Sequence, residues 1–222
     1  AFNRMQERIK RLIDERARAL AAVSHDLRTP LTRLRLRSEL VEDEKLREQM
    51  AADLEAMAAM LNATLDYLRG LQDNEEARPI DINALLQSLA NDAEILGKRM
   101  TIEGAAQAPF SGRLLALRRA LQNLIDNAIK YGHSAHLRID DDADNLRIAV
   151  EDTGPGIPTA ELAQVTLPYY RPDASRSRET GGVGLGLSIV KDIALIHGGE
   201  LRLANRPQGG LCAMLVLPRK PI

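Results

Sequence analysis

The feature that most constrains the fold is a long stretch without helix-breaking residues at the start of the chain. Glycine is absent before Gly70, and Pro30 is the only proline in that stretch. Apolar residues recur there at spacings of seven, four, three and seven, which is coiled-coil spacing and predicts helix from about residue 5 to residue 72. These apolar positions are Leu20, Leu27, Leu31, Leu34 and Val41.

A charged segment, EDEKLRE at 42–48, predicts a turn between two helices. Two amphipathic helices cannot close a hydrophobic core by themselves. The economical solution is a dimer, in which two such hairpins form a four-helix bundle. The apolar stripe of the second helix consists of Met50, Leu54, Met57, Leu61, Leu65 and Leu68.

After this hairpin the pattern changes to short strands and helices. Residues 72–79 (QDNEEARP) are polar, end in proline and predict a linker. A long helix is predicted to be capped by Ser111 and to run through Tyr131. Strand-like alternation favours an α/β sandwich with a largely antiparallel sheet, so the whole chain is expected to be α+β. The predicted strands are 79–82, 100–104, 136–140, 146–152, 200–205 and 211–218. A hairpin turn is predicted at 141–145 and a Pro-Gly turn between the last two strands, and the other predicted helices are 83–97 and 185–197.

Composition excludes several classes of protein. The chain has 30 basic and 31 acidic residues, so no global field attracts nucleic acid. No apolar stretch approaches the roughly 20 residues that a membrane-spanning helix needs. The one cysteine, Cys212, cannot form an internal disulfide and fits a reducing compartment. Its apolar surroundings, LCAMLVL, predict a thiol packed in the core.

His25 is the first candidate for chemistry. At about 100° per residue it points away from the apolar stripe of its helix, so we expect it to face solvent rather than the core. Asp26 can orient its ring and raise its basicity, and Thr29 lies one turn further on the same face. Pro30 should loosen the helix there, which is costly for stability alone. On these residues alone, an incidental surface histidine remains an alternative.

A polar stripe on the long helix is the second candidate. Asn123, Asn127 and Lys130 share a face by their spacing, turned away from the apolar Leu117 and Leu121. An asparagine oxygen can ligate a hard cation while its NH2 group donates, which suits a magnesium–phosphate site. By spacing alone, an ordinary polar helix face is the favoured interpretation.

Two glycine-rich segments follow the long helix. In EDTGPGIP, Asp152 can accept a hydrogen bond from an exocyclic amine, and Gly154 and Gly156 let the backbone approach a flat ring. In GGVGLGLSIV at 181–190, glycines precede a helix and expose N–H groups to an anion. The spacing is neither that of a Rossmann fingerprint nor that of a P-loop. A tight turn and a flexible helix start are the alternatives.

In combination, four segments resemble the signature boxes of sensor histidine kinases of two-component signalling. They are SHDLRTPL at 24–31 (the phosphoacceptor box), LQNLIDNAIKY at 121–131 (the N box), DTGPGIP at 152–158 (the G1 box) and GGVGLGLSIV (the G2 box). The resemblance implies an ATP- and Mg²⁺-dependent protein histidine kinase. It also implies a dimeric helical hairpin followed by an α/β sandwich of the Bergerat, or GHKL-like, ATP-binding type.

The resemblance also implies residue roles. His25 Nε2 would attack the γ-phosphate with Asp26 as general base, and Thr29 would position water during dephosphorylation of the partner. Asn123 would ligate Mg²⁺. The implied nucleotide contacts are Asn127 and Lys130 at the phosphates, Tyr131 lining the pocket, Asp152 at the adenine amino group, and Gly154, Gly156, Gly182, Gly184, Gly186 and Leu187 around them.

A lid is expected at 158–184. Within it, PYYRPD at 168–173 resembles the family's F box, and Arg171 would reach the γ-phosphate or the histidine helix. The sequence departs from the family pattern here: Tyr169 replaces the commoner phenylalanine, and Thr166 stands where a second aromatic is frequent.

The resemblance implies a domain plan and partners. Residues 1–15 resemble the end of a HAMP linker helix, 16–72 the dimerisation and phosphotransfer hairpin, 73–79 a linker, and 80–222 the catalytic ATP-binding domain. The expected partners are a second copy of the chain and the receiver domain of a response regulator, without nucleic acid. The chain would be the cytoplasmic region of a bacterial inner-membrane protein, attached through upstream segments.

Two other functional classes stay open as alternatives. A dimeric scaffold could bind ATP without turnover, although the intact Asp26 and Asn123 argue against it. A chaperone-like or mismatch-repair ATPase would carry the nucleotide boxes but would lack the helical hairpin with SHDLRTP.

Overall fold

A computed structural model describes residues 26–27, 29–72, 75–171 and 183–219 of the chain. The chain divides near residue 73 into a helical unit and a larger mixed unit. Within the described residues, no helix is both long and apolar enough to cross a membrane. His25, Gly182 and the segment that resembles a HAMP linker lie outside the described residues.

The helical unit is a hairpin of helix α1 at residues 29–38 and helix α2 at Glu44–Gln72. The turn lies at 39–43, so it shares only Glu42 and Asp43 with the segment 42–48 in which a turn was predicted, and residues 44–48 are helical. Asp43 ends the turn, because its side chain accepts from the backbone N–H of Leu46 at 3.0 Å. Glu44 in the first turn also favours the helix start electrostatically, so the charged segment begins a helix instead of interrupting one.

Apolar side chains of the helical unit remain exposed in the single chain. Leu36 is 65% and Leu40 is 81% exposed. The apolar surface of one hairpin is therefore not buried by that hairpin. The other large apolar side chains exposed in this unit are Leu27, Leu34, Leu46, Met57 and Met60.

The mixed unit is built on a five-stranded sheet with the order β2–β4–β5–β7–β6. Strands β2 and β4 are parallel and the other neighbours are antiparallel, so the predicted largely antiparallel sheet is confirmed. Strands β1 and β3 form a separate antiparallel pair. The strands are β1 Arg78–Ile80, β2 Arg99–Glu103, β3 Phe110–Gly112, β4 Ser134–Asp141, β5 Asn145–Glu151, β6 Glu200–Asn205 and β7 Leu211–Pro218.

Three α-helices contribute the rest of the core: α3 Ile82–Ile95, α4 Leu114–Gly132 and α5 Gly186–Ile196. Alternate residues of β4 are buried, including Leu137, which has no exposed surface. Leu117 and Leu121 of α4 are likewise 1% and 0% exposed, as their spacing predicts. A short 3₁₀ helix, Thr159–Glu161, follows β5.

The start of α4 differs from the prediction. Ser111 lies in β3, and the N-cap residue is Arg113, whose side chain makes no capping hydrogen bond. Instead, the carboxylate of Glu75 accepts from the N–H of Leu115 at 3.0 Å and from that of Ala116 at 3.3 Å. The predicted Ser111 cap was therefore wrong, because the actual acceptor comes from a distant part of the chain.

His197 ends α5 and joins it to the start of α4. Its Nδ1 donates to the carbonyl of Ile193 at 2.8 Å, so its Nε2 accepts from the N–H of Arg113 at 3.0 Å. Burial lowers the pKa of His197, and neighbouring Arg113 lowers it further. The prediction that His197 is a helix-end residue is confirmed.

Cys212 is half-buried and does not lie in the core. In β7 the inward positions are Ala213, Leu215 and Leu217, so Cys212 falls on the opposite face of the sheet. Burial raises the pKa of its thiol, and the nearby carboxylate of Glu151 raises it further. The prediction of a packed core thiol was wrong, because an apolar run does not reveal which of its residues face inward.

Candidate functional site

The polar stripe of α4 is half-buried on the side away from its core residues. Asn123, Asn127 and Lys130 all have intermediate exposure. The Nδ2 group of Asn123 donates to the carbonyl of Arg119 at 2.9 Å. That bond fixes the amide and leaves its Oδ1 as the acceptor available to a ligand.

The start of α5 lies against this stripe. A Cβ atom added to Gly186 would lie 3.4 Å from both Asn123 Oδ1 and Asn127 Nδ2. The N-cap residue of α5 is Leu185, which provides no side-chain cap. A helix start without a capping side chain, next to two amide side chains, is a favourable place for an anion.

Two cationic side chains influence each other at the same site. Burial lowers the pKa of Lys130, and the positive charge of Arg171 lowers it further. An anion bound between them would relieve this repulsion. Lys130 Nζ also lies 5.2 Å from the centre of the Tyr131 ring.

The segment before Arg171 is tied to the residues that lead into α5. Tyr169 N–H donates to the carbonyl of Gly184 at 3.0 Å, and a Cβ atom on Gly184 would lie 2.7 Å from the carbonyl oxygen of Tyr170. Gly184 has a φ of +75°, and Tyr169 has a φ of 63°, which is uncommon for an aromatic residue. The described lid residues are thus anchored beside the start of α5.

Asp152 lies at the other end of the site, 8% exposed and firmly held. Its Oδ1 accepts from the N–H of Gly154 at 2.8 Å and from that of Leu211 at 3.1 Å. A Cβ atom on Gly132 would lie 2.6 Å from the Cβ of Asp152, and one on Gly154 would lie 2.4 Å from the carbonyl oxygen of Tyr131. The loop after β5 therefore packs directly on the end of α4.

The structure brings most of the predicted nucleotide residues together in the mixed unit. Leu187 is the second residue of α5, and Gly156 lies in the loop after β5 with a φ of +73°. Asp26 and Thr29 are helical and exposed in the helical unit. The residues that these contacts link are Asn123, Asn127, Lys130, Tyr131, Asp152, Gly154, Arg171, Gly184 and Gly186.

The side chains present fit a magnesium ion only if the phosphates of a ligand supply part of its coordination. Among the described residues, no three His, Cys, Asp or Glu side chains could together hold a metal ion. Mg²⁺ is commonly held by one or two protein oxygens together with substrate phosphates. The free Oδ1 of Asn123 beside an anion-favouring helix start is compatible with that arrangement.

The sequence interpretation missed two residues that support the Asp152 loop. Asn205 and Arg206 stand at the β6–β7 turn, which the sequence predicts only as a turn. The side chain of Asn205 bonds Ile157, and that of Arg206 bonds the carbonyl of Asp152. No local pattern could have indicated these contacts, because the residues they join are 48 and 54 positions apart.

Two known protein families match different parts of the chain. Residues 15–73 match the His Kinase A (phospho-acceptor) domain. Residues 112–221 match the family described as histidine kinase-, DNA gyrase B- and HSP90-like ATPases.

The curated relatives are sensor kinases of bacteria. The sensor histidine kinase GtrS of Pseudomonas aeruginosa is 43% identical over 99% of this chain and 45% of its own length. The sensor histidine kinase CpxA of Escherichia coli is 34% identical over 98% of this chain and 50% of its own length. The chain thus spans about half the length of the curated relatives it matches.

A solved structure has the same fold. Full-length ShkA, crystallised in complex with AMPPNP, matches 92% of this chain and 47% of its own with a TM-score of 0.69 and 23% identity. The fold, the two family matches and the curated relatives agree, and the chain belongs to the sensor histidine kinases.

Proposed function

We propose that this chain binds ATP in the mixed unit and transfers its γ-phosphoryl group to His25. The observation that carries the proposal is the convergence of Asn123 and Asn127 on Gly186 at the uncapped start of α5. The mutual repulsion of Lys130 and Arg171 adds a preference for a polyanion. The match of residues 112–221 to an ATPase family supports ATP as that ligand.

The two ends of the site would bind different parts of ATP. Asp152 would accept from the adenine amino group, because its carboxylate is buried and fixed by backbone N–H groups. Asn123 Oδ1 would hold Mg²⁺, which offsets phosphate charge when bound. Asn127, Lys130 and Arg171 would contact the phosphates. Positioning and charge stabilisation supply most of the catalysis of phosphoryl transfer.

The helical unit would supply the acceptor. His25 immediately precedes Asp26, which is exposed on a helix and can act as general base for the imidazole. Nε2 would attack the γ-phosphorus, the bond to the bridging oxygen of ADP would break, and the Nδ1 proton would pass to Asp26. Thr29, also exposed, would position water when the phosphorylated partner is hydrolysed.

The chain would work with two protein partners, a second copy of itself and a response regulator. Leu27 and Leu34, which are exposed and lie on the apolar stripe of the first helix, favour a homodimer that buries them in a four-helix bundle. The phosphoryl group would then pass from His25 to an aspartate on a response regulator receiver domain. In a whole sensor kinase, this chain would be the cytoplasmic catalytic region of a membrane-attached protein.

The test is autophosphorylation with γ-labelled ATP and Mg²⁺. We expect the wild type to acquire an acid-labile, base-stable label, and His25→Gln and Asn127→Ala to lose it. Matched controls are His136→Gln and Asn91→Ala, which change exposed residues away from the site and should label normally.

The alternatives predict different results. ATP binding without any label would favour a scaffold, and ATP hydrolysis that persists in His25→Gln without any labelled protein would favour a general ATPase. Label that survives in His25→Gln would place the acceptor elsewhere and overturn the proposed role of His25.

A further inference from the structure

The turn between β6 and β7 contacts the loop that carries Asp152. Gly210 of that turn is buried, and an added Cβ atom would lie 2.0 Å from the carbonyl oxygen of Asp152. Asp152 N–H also donates to the carbonyl of Leu211 at 3.0 Å. The turn and the loop are therefore in direct backbone contact, with no space for a side chain between them.

Asn205 holds the far end of the loop by two hydrogen bonds. Its Oδ1 accepts from the N–H of Ile157 at 2.9 Å, and its Nδ2 donates to the carbonyl of Ile157 at 2.6 Å. One side-chain amide thus satisfies both backbone groups of one residue, as a neighbouring strand would. Gly156 packs on the same amide, since its added Cβ atom would lie 2.7 Å from Asn205 Oδ1.

Arg206 holds the near end of the loop. Its Nη1 donates to the carbonyl of Asp152 at 2.7 Å, while its Nε lies 3.2 Å from Glu151 Oε2. The Glu151 side chain is only 13% exposed, so this ion pair is partly shielded from water. The guanidinium therefore fixes the backbone at the residue that carries the buried carboxylate.

The geometry points to Asn205 and Arg206 as positioning residues that set the selectivity of this site for adenine. The inference rests on the proposed function of Asp152 as the adenine acceptor. Asp152 Oδ1 is held by the N–H groups of Gly154 and Leu211, while Oδ2 takes no part in those contacts. Movement of the loop would move Oδ2 relative to the exocyclic amine, and a small misplacement weakens a directional hydrogen bond strongly.

The experiment compares ATP with ITP, which has no exocyclic amine, by calorimetric titration of the full chain. Each of Asn205→Ala and Arg206→Met removes bonds to the loop, and we expect about a tenfold loss of ATP affinity with little change for ITP. The preference for ATP should therefore fall. General damage to the domain would weaken both nucleotides equally, so the ratio separates positioning from stability.

The matched control is Arg138→Met. Arg138 also pairs with Glu151, at 3.3 Å, but its bond is to the carboxylate and not to the Asp152 backbone. The control should keep the wild-type ATP-to-ITP ratio, and Arg206→Lys should restore part of it, because the ammonium can still donate to one of the two partners.

The outcomes separate the inference from the proposed function. If the wild type prefers ATP and both variants keep that preference, the positioning role is overturned. The same follows if Arg138→Met lowers the ratio as much as Arg206→Met does. Failure of the wild type to bind ATP would overturn the proposed function itself, and the inference with it.

Discussion

Helices α4 and α5 begin in opposite ways. The first turn of α4 receives an acceptor from the protein itself, since Glu75 binds the N–H groups of Leu115 and Ala116. The start of α5 has no side-chain cap from Leu185, and Gly186 leaves it open beside two amide side chains.

The difference shows one physical property used for two purposes. The start of a helix carries a partial positive charge and unpaired N–H groups, so it favours an anion. At α4 the anion is a carboxylate of the chain, which fixes the fold. At α5 no side chain caps the start, and in the proposed function this place receives the phosphates of a nucleotide. Changes at α4 should therefore affect stability, and changes at α5 should affect binding.

The largest effect is expected when the open helix start is filled. Gly186→Val would crowd Asn123 and Asn127, whose amide atoms lie 3.4 Å from the added Cβ. We expect ATP affinity to fall about 100-fold, because misplaced phosphate contacts are this costly. The dissociation constant measured by calorimetric titration checks this.

The matched control for Gly186→Val is Ala84→Val, which also adds a β-branched side chain to the first turn of a helix, at an exposed position of α3. It should bind ATP normally. If Gly186→Val instead unfolds at a temperature low enough to account for its lost ATP binding, the effect is on stability. That result would contradict the idea that the start of α5 serves binding and not stability.

A smaller effect is expected when the anion at α4 is neutralised. Glu75→Gln removes a charge that accepts from two N–H groups at the helix start. We expect the free energy of unfolding to fall by about 1–2 kcal/mol, with ATP affinity unchanged. Urea denaturation measures the first and titration the second. Glu76→Gln, at an exposed neighbouring position, is the control, and an equal loss there would argue against the cap.

The smallest expected effect is on the pH dependence of stability. It arises at His197, which accepts a hydrogen bond from the N–H of Arg113 at the start of α4. Burial lowers the pKa of His197 below its usual value of 6.5, so the unfolded chain takes up a proton more readily than the folded one. The stability from neutral His197 should be present above about pH 6.5 and decline as pH falls through the lowered pKa, by less than about 1.4 kcal/mol per pH unit.

Urea denaturation as a function of pH tests this, with His197→Gln as the variant, because glutamine can accept from Arg113 N–H without titrating. That variant should lose this part of the pH dependence. An unchanged slope in His197→Gln would assign the effect to another group.

Elements governed by local patterns were predictable from the sequence. Strands β6 and β7 begin and end where alternation and the Pro-Gly turn between them predict, and α5 lies within the predicted 185–197. The Ser111 cap was not predictable, because rules for helix starts consider neighbouring residues and the real acceptor, Glu75, is 40 positions away from Leu115. Cys212 was misplaced because its apolar run does not reveal the phase of the strand.

The residues of the candidate site also differ in whether the local sequence could indicate them. Asn123, Asn127 and Asp152 stand in short recognisable segments, so resemblance could assign roles to them, and those roles stay predictions. Asn205 and Arg206 carry no such signature, because they act on a loop that is distant in the chain and reach it only through sheet topology.

The order of strands in the sheet has a consequence for how the protein is made. Strand β7 follows β6 in the sequence but lies between β5 and β6 in the sheet, so it pairs on both sides. During synthesis, the edge of β5 that will pair with β7 stays unpaired until β7 has been made. An unpaired apolar edge is prone to aggregate, and such distant pairing slows folding. The same strand delivers Leu211 N–H to Asp152, so the hydrogen bonds that hold the Asp152 carboxylate are complete only after β7 has been synthesised.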